Sequence, residues 1–262
     1  MRKGGASAMA HPALETQDLT IRFGGHVAVD AVSCAFERGT LTAIVGPNGA
    51  GKTTYFNLIS GQLTATAGTV RLDGEDISRA GVAERTHLGI GRAFQLTNLF
   101  PNLTVRENVR LVAQAKARRG FDMLSMADAH AELIARADAV LAQVRLLEVA
   151  DRKVAVLPHG DQRKLEVAML IALGSSVLMF DEPTAGMSVD EVPVILELIK
   201  AVKADSSRTI LLVEHKMDVI RSLADRIIVL HNGRLVADGV PQEVMASPIV
   251  QEAYLGVEAS RA

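Results

Sequence analysis

Gly46-Pro47-Asn48-Gly49-Ala50-Gly51-Lys52-Thr53 has the plainest chemical content in the chain. It fits the spacing G-x-x-x-x-G-K-[ST], and the apolar run LTAIV at 41–45 and the helix-like YFNLIS at 55–60 give it the strand–loop–helix setting that the pattern needs. Glycines let such a loop curl so that successive N–H groups turn inward. With the N-terminus of the following helix, they cradle anionic oxygens. Lys52 can reach the β- and γ-phosphates of a nucleotide, and Thr53 can offer its hydroxyl to Mg²⁺. Asn48, Gly49, Ala50, Gly51, Lys52, Thr53 and Thr54 are therefore the candidate phosphate-binding residues.

Two further sets of side chains suit the same chemistry. The buried run VLMF delivers Asp181 and Glu182 to a strand's C-terminal end, where open α/β sheets bind ligands. Asp181 suits a direct or indirect contact with Mg²⁺, and Glu182 is placed to orient or deprotonate a water attacking a γ-phosphate. The run ILLVEH puts His215 at the end of the next strand, where a neutral imidazole can bond the γ-phosphate or the water. Gln95 follows GIGRAF, and its amide can touch Mg²⁺ or water. Taken alone, His215 reads as a surface residue and Gln95 as an ordinary one. The other six histidines show no HExxH or similar ligand spacing.

A sheet with its connecting helices must position these groups. At 262 residues the chain is one α/β domain, or one domain with a sizeable insertion, and it can bury a core without metal or disulfide staples. Strands are expected at 14–21, 27–36, 41–45, 70–77, 176–180 and 208–213, with a hairpin turning at Asn232-Gly233. Helices are expected at 55–60, closed by Gly61, and at 163–173, 190–204 and from Lys216. A terminal helix pair is expected around 241–254. Pro193 is tolerable only in a helix's first turn. Between these, 97–160 reads as a helical insertion. Thr104 and Glu107 have capping-box spacing before a helix at 105–118, and Ile134, Ala137, Leu141 and Val144 form a stripe on a helix at 128–147. The expected organisation is a disordered extension at 1–12, a core of 13–96 plus 161–262, and the helical subdomain at 97–160.

Twenty-eight basic against thirty acidic residues, no Trp and two Tyr give no reason to expect a nucleic-acid partner. Cys34 is the single cysteine, so disulfide frameworks and cysteine metal clusters are excluded, and the compartment reads as cytosolic. No stretch approaches eighteen consecutive apolar residues.

The ordered set of phosphate loop, Gln95, segment 157–162, acids 181–182 and His215 resembles the nucleotide-binding subunits of ATP-binding cassette (ABC) transporters, over about residues 14–256. The resemblance implies a P-loop ATPase fold, with a mixed sheet core, an inserted helical subdomain and an N-terminal antiparallel β region. It also implies a head-to-tail dimer that sandwiches two ATPs. The signature segment of one subunit then closes on the γ-phosphate held by the other. Leu157-Pro158-His159-Gly160-Asp161-Gln162 stands at those positions, so Pro158, His159, Gly160 and Gln162 are carried over as nucleotide contacts. Pro158 departs from the family's serine and lacks both a hydroxyl and an N–H. Phe23, before a Gly-Gly turn, matches the aromatic that stacks on adenine, with Val27 close by. Ser188 stands where the family commonly has Asp in the loop after the acidic strand.

GIGRAFQLTNLFPNLTVRENV, GDQRKLEVAM, DEPTAGMS, VEHKMDVI and VQEAYLG are most similar to importers of branched-chain amino acids, and share wording with urea and short-amide importers. The resemblance implies two permease subunits, a second identical or similar ATPase, an external solute-binding protein reached indirectly, and a peripheral position on the cytoplasmic face of the inner (plasma) membrane. Phe94 to Val105 would line the groove for a permease helix, with Phe100 and Leu103 as apolar contacts or as subdomain core. An export or lipopolysaccharide ATPase, a soluble ATPase of similar core, and a nucleotide-binding regulatory subunit are the alternatives.

Overall fold

The computed structural model describes residues 11–93, 99–116, 126–248 and 250. Two sheets flank one helix. The first is antiparallel and contains β1 (Leu14–Phe23), β2 (His26–Phe36), β4 (Ala67–Leu72) and β5 (Glu75–Asp76), in the order β2-β1-β4-β5. The second contains β3 (Leu41–Val45), β6 (Ile90–Ala93), β7 (Val177–Asp181), β8 (Thr209–Val213), β9 (Arg226–His231) and β10 (Arg234–Gly239). Its order is β10-β9-β3-β8-β7-β6, and every pairing in it is parallel except β9 with β10.

Covered on both faces, β3, β7 and β8 are buried at every position. That is why they read as unbroken apolar runs rather than alternating ones. Between the sheets lies α1 (Lys52–Ser60), whose Tyr55, Phe56, Leu58 and Ile59 join β1, β2 and β4 to the inner face of the second sheet. Each such side chain contributes about 1.5–3 kcal/mol on burial. The Tyr55 hydroxyl lies 2.8 Å from Thr16 Oγ1, tying α1 to β1. Gly61 ends α1 at φ 81°, a left-handed C-cap.

On the opposite face, α3 (Val105–Lys116) and α4 (Met126–Gln143) pack with α5 (His159–Leu173) and α6 (Val192–Lys203) over β7 and β8, in one apolar cluster. Thr104 Oγ1 accepts the Glu107 N–H, as the capping spacing predicts, while the Glu107 carboxylate pairs with Arg110. The buried stripe of α4 runs through Leu133, Ala137, Val140 and Leu141, with Leu133 rather than the expected Ile134 facing inward. Pro193 sits in the first turn of α6. The remaining helices are α2 (Val82–Leu88), α7 (Met217–Leu223) and α8 (Pro241–Ala246). The sequence reading missed α2 and β6. Both are short, and IGRA in β6 carries a glycine and an arginine among four residues, so it lacks a strand's usual apolar density. Segments 117–125 and 251–254 lie outside the described residues.

The second sheet's order puts every parallel strand's C-terminal end on one edge. The phosphate loop leaves β3 at its centre. Asp181 ends β7, Glu214 and His215 follow β8, and residue 94 follows β6. Register fixes their levels, with Ile44 beside Val213 and Val213 beside Asp181.

Candidate functional site

The phosphate loop is shaped by backbone that only glycine adopts easily. Gly46, Gly49 and Gly51 have φ of 152°, 81° and 97°. Side chains are also excluded by contact. A Cβ on Gly51 would lie 2.5 Å from the Ala28 carbonyl of β2, and one on Gly46 would lie 2.1 Å from the Leu230 carbonyl. The loop is closed by Ala50 N–H to Pro47 O and Tyr55 N–H to Gly51 O. The β9–β10 turn braces it, because Gly233 donates to Ala50 O while accepting from Asp30 N–H. That turn has left-handed Asn232 and Gly233, the conformation the Asn-Gly pair predicts.

Lys52 is buried, and its ammonium donates to Gly46 O at 2.7 Å and Pro47 O at 2.9 Å. Burial lowers its pKa, and the nearby carboxylates of Glu182 and Asp181 oppose that shift. Thr53 and Asn48 are exposed at the loop's mouth, Thr54 is half-buried, and Ala50 is packed inside. Phe23 ends β1 half exposed, and Val27 is the second residue of β2, across the Gly24-Gly25 turn. Contact between Ala28 and Gly51 places that hairpin alongside the loop.

Glu182 and His215 meet. Their side chains are 2.8 Å apart, Nε2 to Oε1, both partly exposed. Glu182 has φ 50°, a left-handed conformation that is unfavourable for a residue with a side chain, and its N–H donates to Val213 O. Behind His215 lies a residue the sequence reading missed. Glu214 is 3% exposed, accepts the His215 N–H at 2.7 Å and bonds the Thr184 hydroxyl. It thereby fixes the turn that presents the imidazole beside the loop after β7. An acid immediately before the histidine at a buried strand's end was the available clue.

Asp181 is buried too, and burial raises its pKa against the opposing charge of Arg92. Arg92 Nη2 reaches Asp181 Oδ2 at 2.6 Å, a pairing that the sequence reading also missed. Gln95 lies outside the described residues.

Segment 157–162 leads into α5. Pro158 is the N-cap of α5, so the helix starts at His159, four residues before the sequence reading placed it. Proline fits there because its missing N–H is no loss at a helix start. Pro158 and His159 are exposed, and Gly160 and Gln162 half-buried. Gln162 Nε2 donates back to Leu157 O at 3.0 Å. Glu191, also missed, accepts the N–H and hydroxyl of Ser188 and a backbone bond from Gly160, which together lower its pKa.

A strand–loop–helix phosphate cradle, two acids ending the next-but-one strand of the sheet and a histidine bonded to the second acid make a nucleotide-hydrolysis site. Residues 29–185 match the family model for ABC transporters. The chain belongs to the ABC transporter family. As an ABC ATPase it binds and hydrolyses ATP. A second family model, described as branched-chain amino acid ATP-binding cassette transporter, matches residues 234–260. The high-affinity branched-chain amino acid transport ATP-binding protein BraF of Pseudomonas aeruginosa is 37% identical, covering 95% of this chain and 99% of that one. Its counterpart LivG of Escherichia coli is 36% identical over similar shares. Among solved structures, an ATP-binding cassette of an ABC transporter in its ADP conformation matches with a TM-score of 0.80 and 30% identity, over 93% of this chain and 98% of that one. A dimeric cassette in a post-hydrolysis state, bound to ADP and phosphate, matches with 0.73 and 27%, over 87% and 98%. Among the described residues no helix is long and apolar enough to cross a membrane, and an ABC ATP-binding subunit works through permease partners.

Proposed function

We propose that this chain powers import of branched-chain amino acids, or closely related small polar solutes, through separate permease subunits. The match of residues 234–260 to a branched-chain amino acid cassette model, beyond the region shared by ABC transporters at large, carries the solute class. The BraF and LivG identities over nearly the whole chain support it.

In this reading phosphate oxygens replace Gly46 O and Pro47 O as partners of Lys52, and the glycine loop supplies N–H donors. Phe23 stacks on adenine, with Val27 beside it. Glu182 takes the proton of a water attacking the γ-phosphate, while His215 holds its carboxylate and contacts the transferring group. The O–P bond to water forms as the bond to ADP breaks, and the displaced charge is met by Lys52.

Thr53 and Asp181, with Gln95, are the residues that would hold Mg²⁺. Hydroxyl, carboxylate and amide oxygens fit that ion, and a site with a single protein carboxylate suits a metal bound mainly through substrate phosphates. Among the described residues there is no larger cluster of metal-ligating side chains to compete. When bound, the ion neutralises charge on the phosphates.

The working unit is a head-to-tail pair of ATPases, with Pro158, His159, Gly160 and Gln162 of one chain facing the nucleotide of the other. The helical layer at 97–160 meets the permease from the cytoplasmic face. Phe100 supports this. It is half exposed on a loop fixed by buried Asn108, which accepts the Phe100 N–H and donates to Phe100 O.

Expression with the neighbouring genes and purification from detergent-solubilised membranes tests the reading. Recovery with two hydrophobic permeases and ATP-dependent leucine uptake in proteoliposomes is expected. A stable complex that extrudes lipid, or a chain that never meets a permease, would overturn it.

A further inference from the structure

We propose that Arg92 is a positioning residue for Asp181, orienting it toward Mg²⁺ and linking it to the far end of the phosphate-loop helix. The inference rests on the assignment of Asp181 to that ion.

Three features carry it. First, the pair is buried, with side-chain exposures of 8% for Arg92 and 5% for Asp181. A guanidinium so placed needs its charge compensated, and the Asp181 carboxylate supplies that. Second, its orientation is set from the other side. Nη1 donates to Asn57 Oδ1 at 2.6 Å, Ser60 Oγ at 3.1 Å and Gln62 Oε1 at 3.1 Å, and the guanidinium carbon lies 5.5 Å from the centre of the Phe56 ring. Phe56, Asn57 and Ser60 all belong to α1, the helix whose first turn carries Lys52, Thr53 and Thr54. A planar fork fixed at Nη1 has little freedom left at Nη2, and Nη2 holds Asp181 Oδ2. Third, Arg92 lies on β6, paired with β7 so that Arg92 is beside Met179 and Ala93 beside Phe180. The same strand leads directly to Gln95.

Arg92 thus joins the phosphate-loop helix, the acidic strand and the strand entering the Gln95 segment through one cation. It fixes one carboxylate oxygen of Asp181 and leaves the other to act. A partner behind a metal ligand normally sets metal affinity by about 10–100-fold.

The test is the Mg²⁺ dependence of binding a fluorescent ATP analogue to the purified full chain, read as the Mg²⁺ concentration at half-saturation. R92M removes the cation with similar bulk, and should raise that concentration by about 10-fold or more while leaving affinity in EDTA within about twofold of wild type. R92K should recover part of the loss. N57A, which loosens only the Nη1 side, should give a smaller shift of the same sign. D181N is the reference for losing the carboxylate. If D181N shifts Mg²⁺ half-saturation and R92M and N57A do not, Arg92 is structural only and the inference fails. If D181N shifts nothing, the Mg²⁺ assignment of Asp181 falls and the inference with it. Should R92M not fold, R92K and N57A decide by the same readout. Equal losses with and without Mg²⁺ in those variants also reject the inference.

Discussion

The strand-end region and the α5 start are built on opposite principles. Around the phosphate loop, Lys52, Asp181 and Glu214 are buried, and their partners are main-chain or side-chain atoms of this same chain. At 158–162 the residues lie at or near the surface, and their polar groups turn back on the chain itself through Gln162–Leu157 and Gly160–Glu191. The first region is preorganised by a sheet whose register places every group. The second is one helix start with a proline cap. In the proposed reading, hydrolytic chemistry and its trigger are divided between a buried sheet edge and an exposed helix end.

The largest effect that sharpens this contrast is E182Q. Phosphate release should fall by about 10²–10⁴-fold, the range for losing a general base, with ATP affinity nearly unchanged. Steady-state release assays and equilibrium binding check it, and preserved turnover would remove Glu182 from its role. Next comes K52A, which should weaken nucleotide binding by about 10–100-fold, as expected for losing a hydrogen bond from a charged donor. Isothermal titration measures it. E214A deprives Thr184 and the His215 N–H of a buried acceptor. It should lower stability by about 1–3 kcal/mol, visible in a urea melt, and reduce turnover as His215 loses its placement. F23A should cost adenine affinity by about 10-fold at most, the scale of one aromatic stack. Smallest for the isolated chain is Q162A, with nucleotide affinity within about twofold of wild type while ATP-driven dimerisation, followed by light scattering, declines. Equal loss of monomer affinity would break the division between the two regions.

Legibility in the sequence follows the same line. The central strands and the phosphate loop were readable because burial on both faces leaves an apolar run, and a tight anion cradle leaves glycines at fixed spacing. His215 and Glu182 could be placed at strand ends, but their mutual bond depends on β7 and β8 being neighbours, which no local pattern states. Arg92 was invisible for a stronger reason. Its partner is 89 positions away and its strand is four residues long. The start of α5 lies four residues before 163 because proline at a cap begins a helix, and Gly160 is taken into its first turn. Glu191 reaches Gly160 across the loop after β7, a contact with no signature in spacing.

Glu182 also carries a message about selection. Its left-handed backbone disfavours a side chain by about 1 kcal/mol or more, and glycine would adopt that conformation freely. Its partly exposed carboxylate adds little to hold the chain together. A sequence optimised for folding alone would therefore place glycine at 182 and gain thermal tolerance. With Glu182 as the proposed base, glutamate there trades robustness for turnover, and E182G should be a hardier protein that has lost its catalysis.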